Sequence, residues 1–426
     1  VQLTLPGGGD GVAKDALPRA VRDVFAGAPP DRIGVAVSGG GDSVALLVLL
    51  SDWARESGPD VAAVTVDHGL RPEAAEEAAG VARLAARLGV PHDTLRWTAS
   101  GGPGNLPGRA RAARYGLIAR WAAERGIGVV ALGHTRDDQA ETVLMRLARG
   151  SGVDGLAGMP VRRVEGGVAF VRPLLHVARA TLRDYLRARG EGWVEDPTND
   201  DPAYDRVKAR RALAALGPLG VGAEGLADTA ARMAVASAAL WHLARQVAVD
   251  SLRVDGGDAI FAAAPFGAAP EETRLRLVSE AIRWVTGAVY RPRLAELRTA
   301  LDGLGPRART LAGAVIWRDG ANLRIGREAA LTGPAVPVGA IWDGRWQVEG
   351  PQAGVEVRAL GAAGLAQCPG AARETGLPRA TLLASPAVWA ADRLMSAPLA
   401  RPDERTGWRV TLSPDAGTFL QRLNIG

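Results

Sequence analysis

The run Ile33-Gly-Val-Ala-Val-Ser-Gly-Gly-Gly-Asp-Ser43 constrains this chain more than any other stretch of it. A short β-branched run enters three consecutive glycines and leaves them as a longer helical pattern. That is how a strand turns into the helix that returns it across a parallel sheet. The alternation continues to about Gly150. Strands are expected at Ile33–Val37, Val61–Val66, Asp93–Trp97 and Gly128–Leu132. Helices are expected at Ser43–Glu56, Ala74–Leu88, Arg109–Arg125 and Arg136–Arg149, each with apolar residues three and four apart and charges on its other face. The fold predicted is α/β, an open, doubly wound, mainly parallel sheet. Ligands of such sheets bind at the carboxyl ends of the strands, so chemistry is expected in the loops after Val37, Val66 and Leu132.

The first of these loops offers an anion the free N–H groups and positive dipole end of a helix, with glycines that allow close approach. A plain strand-to-helix turn capped by Asp42 or Ser43 accounts for the same residues. The run has no Gly-Lys-Ser/Thr, as a P-loop NTPase requires, and no spaced third glycine, as a dinucleotide fingerprint requires. Phosphate binding by Ser38, Gly39, Gly40, Gly41, Asp42 and Ser43 is the reading that uses both the strand before the loop and the helix after it.

The third loop opens Gly133-His-Thr-Arg-Asp-Asp-Gln-Ala-Glu141. His134, Asp137, Asp138 and Glu141 stand at zero, three, four and seven, which puts all four on one face if the stretch is helical. Such a run is ordinarily a solvated acidic stripe. This one follows a strand end and precedes Val143-Leu-Met-Arg-Leu147, expected to be buried, so an acidic face toward the ligand edge is expected, able to hold Mg2+ or a substrate ammonium. Arg111 and Arg114, one helical step apart, suit the neutralisation of developing phosphate charge; a solvated basic face shared with Arg109 is the equal alternative.

Composition narrows the chemistry. Cys368 is the only cysteine, which excludes an internal disulfide, a multi-cysteine zinc site and two-thiol chemistry. The five histidines show no metal-ligand spacing, and no structural metal is expected. Lys and Arg total 51 against 46 acids, so the net charge of +5 allows a nucleic-acid partner without requiring one. Only Lys14 and Lys208 are lysines, which reads as GC-rich coding more readily than as phosphate recognition. Val44–Leu50 is far short of the roughly 20 residues of a spanning helix, and no basic-then-apolar leader precedes it, so a cytoplasmic chain with no membrane partner is expected. Val1 stands where an initiator methionine is expected, which suggests a true N-terminus elsewhere.

At 426 residues the chain suits two or three domains. A hairpin at Val161–Val171, a helix at Ala180–Arg189 and a loop from Trp193 to Pro202 complete the first, placed at 1–217. Gly/Pro stretches near 216–225 and at Gly333–Gly339 then mark off a mainly helical domain, 218–335, and a small α+β C-terminal domain, 336–426.

Ser38-Gly-Gly-Gly-Asp-Ser43 resembles the SGGxDS PP-loop of the ATP-pyrophosphatase family, whose members split ATP between its α and β phosphates to make an adenylate. Within that family the chain is similar to the tRNA(Ile)-lysidine synthetases over about residues 32–212. The motifs are Val66-Asp-His-Gly-Leu-Arg71, Arg111-Ala-Ala-Arg-Tyr115, Gly133 to Glu141, Arg149-Gly-Ser-Gly-Val-Asp-Gly-Leu-Ala-Gly-Met159, Arg172-Pro-Leu-Leu175 and Trp193-Val-Glu-Asp-Pro-Thr-Asn199. The resemblance implies a PP-loop, adenine nucleotide α-hydrolase-like fold and a two-step reaction. ATP adenylates the C2 carbonyl oxygen of the wobble cytidine in the CAU anticodon of isoleucine tRNA, and the ε-amine of free lysine then displaces AMP, leaving lysidine. It further implies ATP on Ser38 to Ser43, Mg2+ and pyrophosphate near Asp42, and Asp67 and His68 in the nucleotide pocket, strand-end capping being the alternative for Asp67. Arg111 and Arg114 become charge clamps, and Asp137, Asp138 and Glu141 hold lysine with His134 beside them as a proton acceptor. The parts beyond residue 217 become tRNA-binding.

One departure stands out. The family runs Arg-Asn-x-Ile/Val-Arg where this chain has Arg206-Val-Lys-Ala-Arg210, so Arg206 and Arg210 carry over as substrate-binding residues while Val207 replaces the asparagine. The rival readings are a PP-loop tRNA thiolase, disfavoured by the single cysteine, a small-molecule adenylating ligase, and a nucleotide or RNA binder without turnover. The sequence leaves the oligomeric state open, a homodimer included.

Overall fold

Strands whose successive side chains enter two different cores build the central sheet. The computed structural model describes residues 13–27, 29–56, 58–67, 69, 74–97, 106–195, 205–304, 307–351, 354–402, 407–413 and 419–423. In it β1 (Arg32–Ala36), β2 (Asp60–Asp67), β3 (His92–Arg96), β4 (Val129–Leu132), β5 (Arg162–Glu165) and β6 (Val168–Val171) lie in the order β3-β2-β1-β4-β6-β5. All pairings are parallel except the β5-β6 hairpin. Val129, Ala131, Ala169 and Val171 enter one core; their chain neighbours Val130, Leu132, Val168 and Phe170 enter another. Both faces of the sheet are therefore covered, as parallel strands require. α1 (Ala13–Asp23), α2 (Gly41–Arg55) and α3 (Ala74–Leu88) contribute to the first core and α4 (Leu106–Glu124) to the second. After β4 come α5 (Arg136–Ala148) and α6 (Val153–Leu156); after β6 come α7 (Arg179–Ala188), which joins the first core through Leu182 and Leu186, and α8 (Asp205–Leu216). The expected strands and helices of this half are present, Ala74–Leu88 at its expected bounds and the others with ends shifted by at most three residues.

β1 has β2 on one side and β4 on the other. The chain builds outward from β1 through β2 and β3 and then returns to β4, so the strand order reverses between β1 and β4. That reversal opens the ligand crevice of such sheets at the carboxyl ends of these two strands. Gly133, just past β4, seals its floor: a Cβ there would lie 2.8 Å from Ser43 Cα and 2.9 Å from the Asp42 carbonyl. Only glycine lets the end of β4 approach the start of α2 so closely.

The chain divides into two units, residues 1–237 and 238–426. The division falls within α9 (Ala223–Ser251), not in the Gly/Pro stretch near 216–225. That stretch is one turn of 3-10 helix, Gly217–Leu219, closed by Gly220 at φ +79°. In the second unit α10 (Ala263–Ala268), α11 (Glu271–Thr286) and α12 (Leu294–Asp302) accompany an antiparallel sheet of β7 (Leu252–Asp255), β8 (Asp258–Phe261), β9 (Arg309–Leu311), β10 (Ala314–Asp319) and β11 (Asn322–Arg327), ordered β7-β8-β11-β10-β9. A mainly helical 218–335 omits this sheet, whose strands of three to six residues are short beside the long alanine-rich helices. A four-stranded and a two-stranded sheet follow within 336–412, around a core of Trp342, Trp346, Val348, Val357 and Val388. Among the described residues no helix is long and apolar enough to cross a membrane.

Candidate active site

Gly39 takes φ +87°, a left-handed conformation that favours glycine, and turns the chain from β1 toward α2. Gly40 is the N-cap of α2 and makes no side-chain capping bond, which corrects the plain turn capped by Asp42 or Ser43. Ser43 braces the loop instead: its Oγ donates to the Gly40 carbonyl at 2.9 Å, accepts the Ser38 N–H at 3.1 Å and lies 3.2 Å from Ser38 Oγ. A helix start without a side-chain cap leaves its first N–H groups to an anion. The Val194 N–H donates to the Gly39 carbonyl at 3.0 Å, and a Cβ on Gly41 would meet the Trp193 indole at 3.3 Å, so Trp193 and Val194 pack onto this loop. Asp196 to Asn199 lie outside the described residues.

At the end of β4 the structure corrects one placement. Thr135, fully buried, is the N-cap of α5, so His134 precedes the helix and does not share its face with Asp137, Asp138 and Glu141. A capping box explains why. Thr135 Oγ1 and the Thr135 N–H both donate to Asp138 Oδ2 at 2.9 Å, and the Asp138 N–H reaches back to Thr135 Oγ1 at 3.4 Å. Asp138 Oδ2 is therefore occupied in holding the helix start, while Oδ1 faces the site. Further along, the Gln139 amide pairs with both the N–H and the carbonyl of Met159, at 2.7 and 3.1 Å. Arg146 donates to the carbonyls of Gly155 and Gly158. Together these pin the glycine-rich Arg149–Met159 segment to α5.

The centre of the site is a residue that pattern reading passes over. Arg179, at the start of α7, donates from Nε to Asp42 Oδ2 at 2.9 Å and from Nη2 to Asp138 Oδ1 at 3.0 Å, and its Nη1 lies 3.5 Å from Glu141 Oε1. Its main-chain N–H donates to Asp137 Oδ2 at 2.8 Å. Arg210 donates to Glu141 Oε1 at 3.1 Å and Arg206 lies 3.5 Å from Asp138 Oδ1, so both carried-over arginines reach the cluster; Val207 between them is buried. Three carboxylates thus meet three guanidiniums, and the fourth, Asp137, meets a main-chain N–H. Burial raises the Asp42 carboxyl above its ordinary value, Arg179 opposing. Burial works the same way on Asp138, but Arg179, Arg206 and the Thr135 N–H outweigh it and hold that group below the ordinary range. Burial, with Arg172, Arg206 and Arg111 nearby, pushes the His134 imidazole down to about 3.

Among the buried atoms here without a hydrogen-bond partner among the described residues are Glu141 Oε2, His134 Nδ1 and Arg172 Nε. Such orphans are rare in folded proteins and mark where a ligand or water completes the set. Tyr115 gathers the basic side of the site. Arg111 stacks over its ring at 5.5 Å, Arg163 at 5.9 Å, and the buried Arg172 lies 3.3 Å from its hydroxyl. Burial, with Arg111 and Arg206 nearby, lowers the Arg114 guanidinium below its ordinary value. Asp67 ends β2 and accepts the Gly69 N–H at 2.8 Å, the strand-end role named as its alternative; His68 lies outside the described residues. No group of three or more His, Cys, Asp or Glu side chains able to hold a metal occurs among the described residues. A single carboxylate at a phosphate-binding turn fits Mg2+ brought by a nucleotide, which keeps waters and phosphate oxygens as its other ligands. Cys368 is buried in a core of the second unit.

A profile described as the PP-loop domain matches residues 14–216. The chain is 48% identical to a tRNA(Ile)-lysidine synthase of Ruegeria pomeroyi over 406 residues, 95% of this chain and 96% of that one. It is 44% identical to the Bradyrhizobium sp. enzyme of the same name, over 66% of this chain and 80% of that one. It is 42% identical to that of Bradyrhizobium diazoefficiens, over 68% and 88%. An ATP-type phosphate loop, a capped acidic helix beside it and near full-length similarity agree: the chain belongs to the tRNA(Ile)-lysidine synthase family of PP-loop ligases.

Proposed function

We propose that the chain ligates free lysine to C2 of the wobble cytidine in the CAU anticodon of isoleucine tRNA, with ATP converted to AMP and pyrophosphate, and that it works in the cytoplasm. The observation that carries this reading is the meeting of the uncapped α2 N-terminus with the acids of α5 at one sheet edge, in a chain 48% identical over 95% of its length to a tRNA(Ile)-lysidine synthase. In the first step the cytidine O2 attacks the α-phosphorus and pyrophosphate leaves. The amides at the start of α2 and the loop braced by Ser43 receive that pyrophosphate, and Asp42 would hold the Mg2+ that shields its charge. Arg111 and Arg114 add positive charge from α4.

In the second step the lysine ε-amine attacks C2, AMP departs with the former O2, and the amine loses a proton as the carbon–nitrogen bond forms. Asp137, Asp138 and Glu141 are the acids offered to lysine, Glu141 foremost because its Oε2 is unmatched. A ring held neutral down to about 3 is a poor acceptor for an amine proton, so His134 is assigned hydrogen bonding in place of base catalysis. The test is pyrophosphate release with and without a CAU transcript, followed by amine choice. Lysine is expected to react, ornithine to lag by an amount corresponding to about 1–3 kcal/mol for one methylene, and arginine not to react. Release that ignores the transcript, or ammonia serving as donor, would sink the reading.

A further inference from the structure

We infer that Arg179 is the positioning residue that sets the phosphate half of the site at the right distance from the amine half. The inference rests on the lysine-ligation reading above. Asp42 belongs to α2 and the phosphate loop; Asp138 and Glu141 belong to α5 and the acids offered to lysine. Arg179 joins these two helices, with Nε on Asp42 at 2.9 Å, Nη2 on Asp138 at 3.0 Å and Nη1 toward Glu141 at 3.5 Å.

Its side chain is 18% exposed, and those of Asp138 and Glu141 are 9% and 2% exposed, so solvent screens the contacts weakly. A guanidinium is planar and its N–H groups point in fixed directions, so one head contacting three carboxylates dictates where they stand relative to each other. An ammonium keeps the charge and loses the fork. The main-chain bond to Asp137 survives any such substitution, which lets Arg179→Lys isolate the fork from the charge and from the helix start.

The experiment uses the full chain, a CAU transcript and labelled ATP and lysine, and follows adenylation without lysine separately from lysine transfer to the accumulated adenylate. In Arg179→Lys adenylation is expected to slow, because Asp42 loses its Nε contact, but lysine transfer is expected to fall by about tenfold or more beyond that, with a raised KM for lysine, so that adenylated tRNA accumulates. Arg179→Ala is expected to lose both steps. Lysine transfer by Arg179→Lys with an unchanged lysine KM would overturn the proposal. So would equal loss of both steps with a lowered melting temperature, the mark of a merely structural part. A wild-type chain that releases pyrophosphate on the transcript but attaches no lysine would instead sink the lysine-ligation reading.

Discussion

A buried carboxylate is tolerable only with a counter-charge or a proton, and the cluster around Arg179 shows both tendencies. Asp42 is the acid of this cluster whose carboxyl burial pushes above its ordinary value, yet it sits on the phosphate turn, as a residue kept for chemistry more than for stability does. Asp42→Ala is expected to abolish pyrophosphate release while the melting temperature stays within a few degrees; normal release by the folded variant would remove Asp42 from the mechanism. His134 makes a prediction of a different kind. Its value falls from 6.5 to about 3 on folding, so the unfolded chain takes up a proton first and folded stability is lost as pH drops from 6.5 toward 3. The melting temperature of His134→Asn should therefore fall less than that of wild type between about pH 7 and about pH 4.5, and equal falls would contradict the assignment. The phosphate loop was legible because its residues are contiguous. Arg179 was not: its partner Asp138 is 41 residues earlier, and nothing in Arg179-Ala-Thr-Leu-Arg183 tells the first arginine from the second.

Helix starts, more than helix bodies, decide what this site contains. Period-two and three-to-four patterns locate the strands and helices of the first unit well because both faces of the sheet are apolar and each helix buries one stripe. Caps are harder to read, since Thr135-Arg-Asp-Asp138 is at once a capping signature and part of an acidic run. Taking it as one helical face placed His134 inside a helix that starts two residues later. Thr135→Ala removes a fully buried cap and is expected to cost about 1–2 kcal/mol, read as a lower denaturation midpoint of the first unit; an unchanged midpoint would show the cap to be dispensable. Gly133→Ala should leave the chain soluble but impair adenylation, because the added carbon meets main-chain atoms of Asp42 and Ser43 that can yield only by moving α2. The antiparallel sheet of the second unit had its own signals in the turns Asp255-Gly-Gly-Asp258 and Asp319-Gly-Ala-Asn322, which long alanine-rich helices on either side obscured.

At the scale of the whole chain, residues 17–193 contribute every member of the two cores that cover the parallel sheet. A fragment ending at residue 237 should keep these cores and bind ATP within about threefold of the full chain. On the expectation that the second unit contacts tRNA phosphates, the fragment's tRNA affinity should be weaker and less salt-dependent. Unchanged tRNA affinity and salt slope would show that the second unit contributes nothing to RNA binding. The central claim is narrower than any of these: a PP-loop site with a lysine-holding acidic helix modifies one base of one tRNA. The most direct measurement is mass spectrometry of nucleosides from an isoleucine tRNA transcript with a CAU anticodon, after incubation with the full chain, ATP, Mg2+ and isotopically labelled lysine. The account predicts that the wobble cytidine is replaced by cytidine joined to labelled lysine with loss of water. An unaltered wobble cytidine, or one carrying sulfur or ammonia while ATP is consumed, would contradict it.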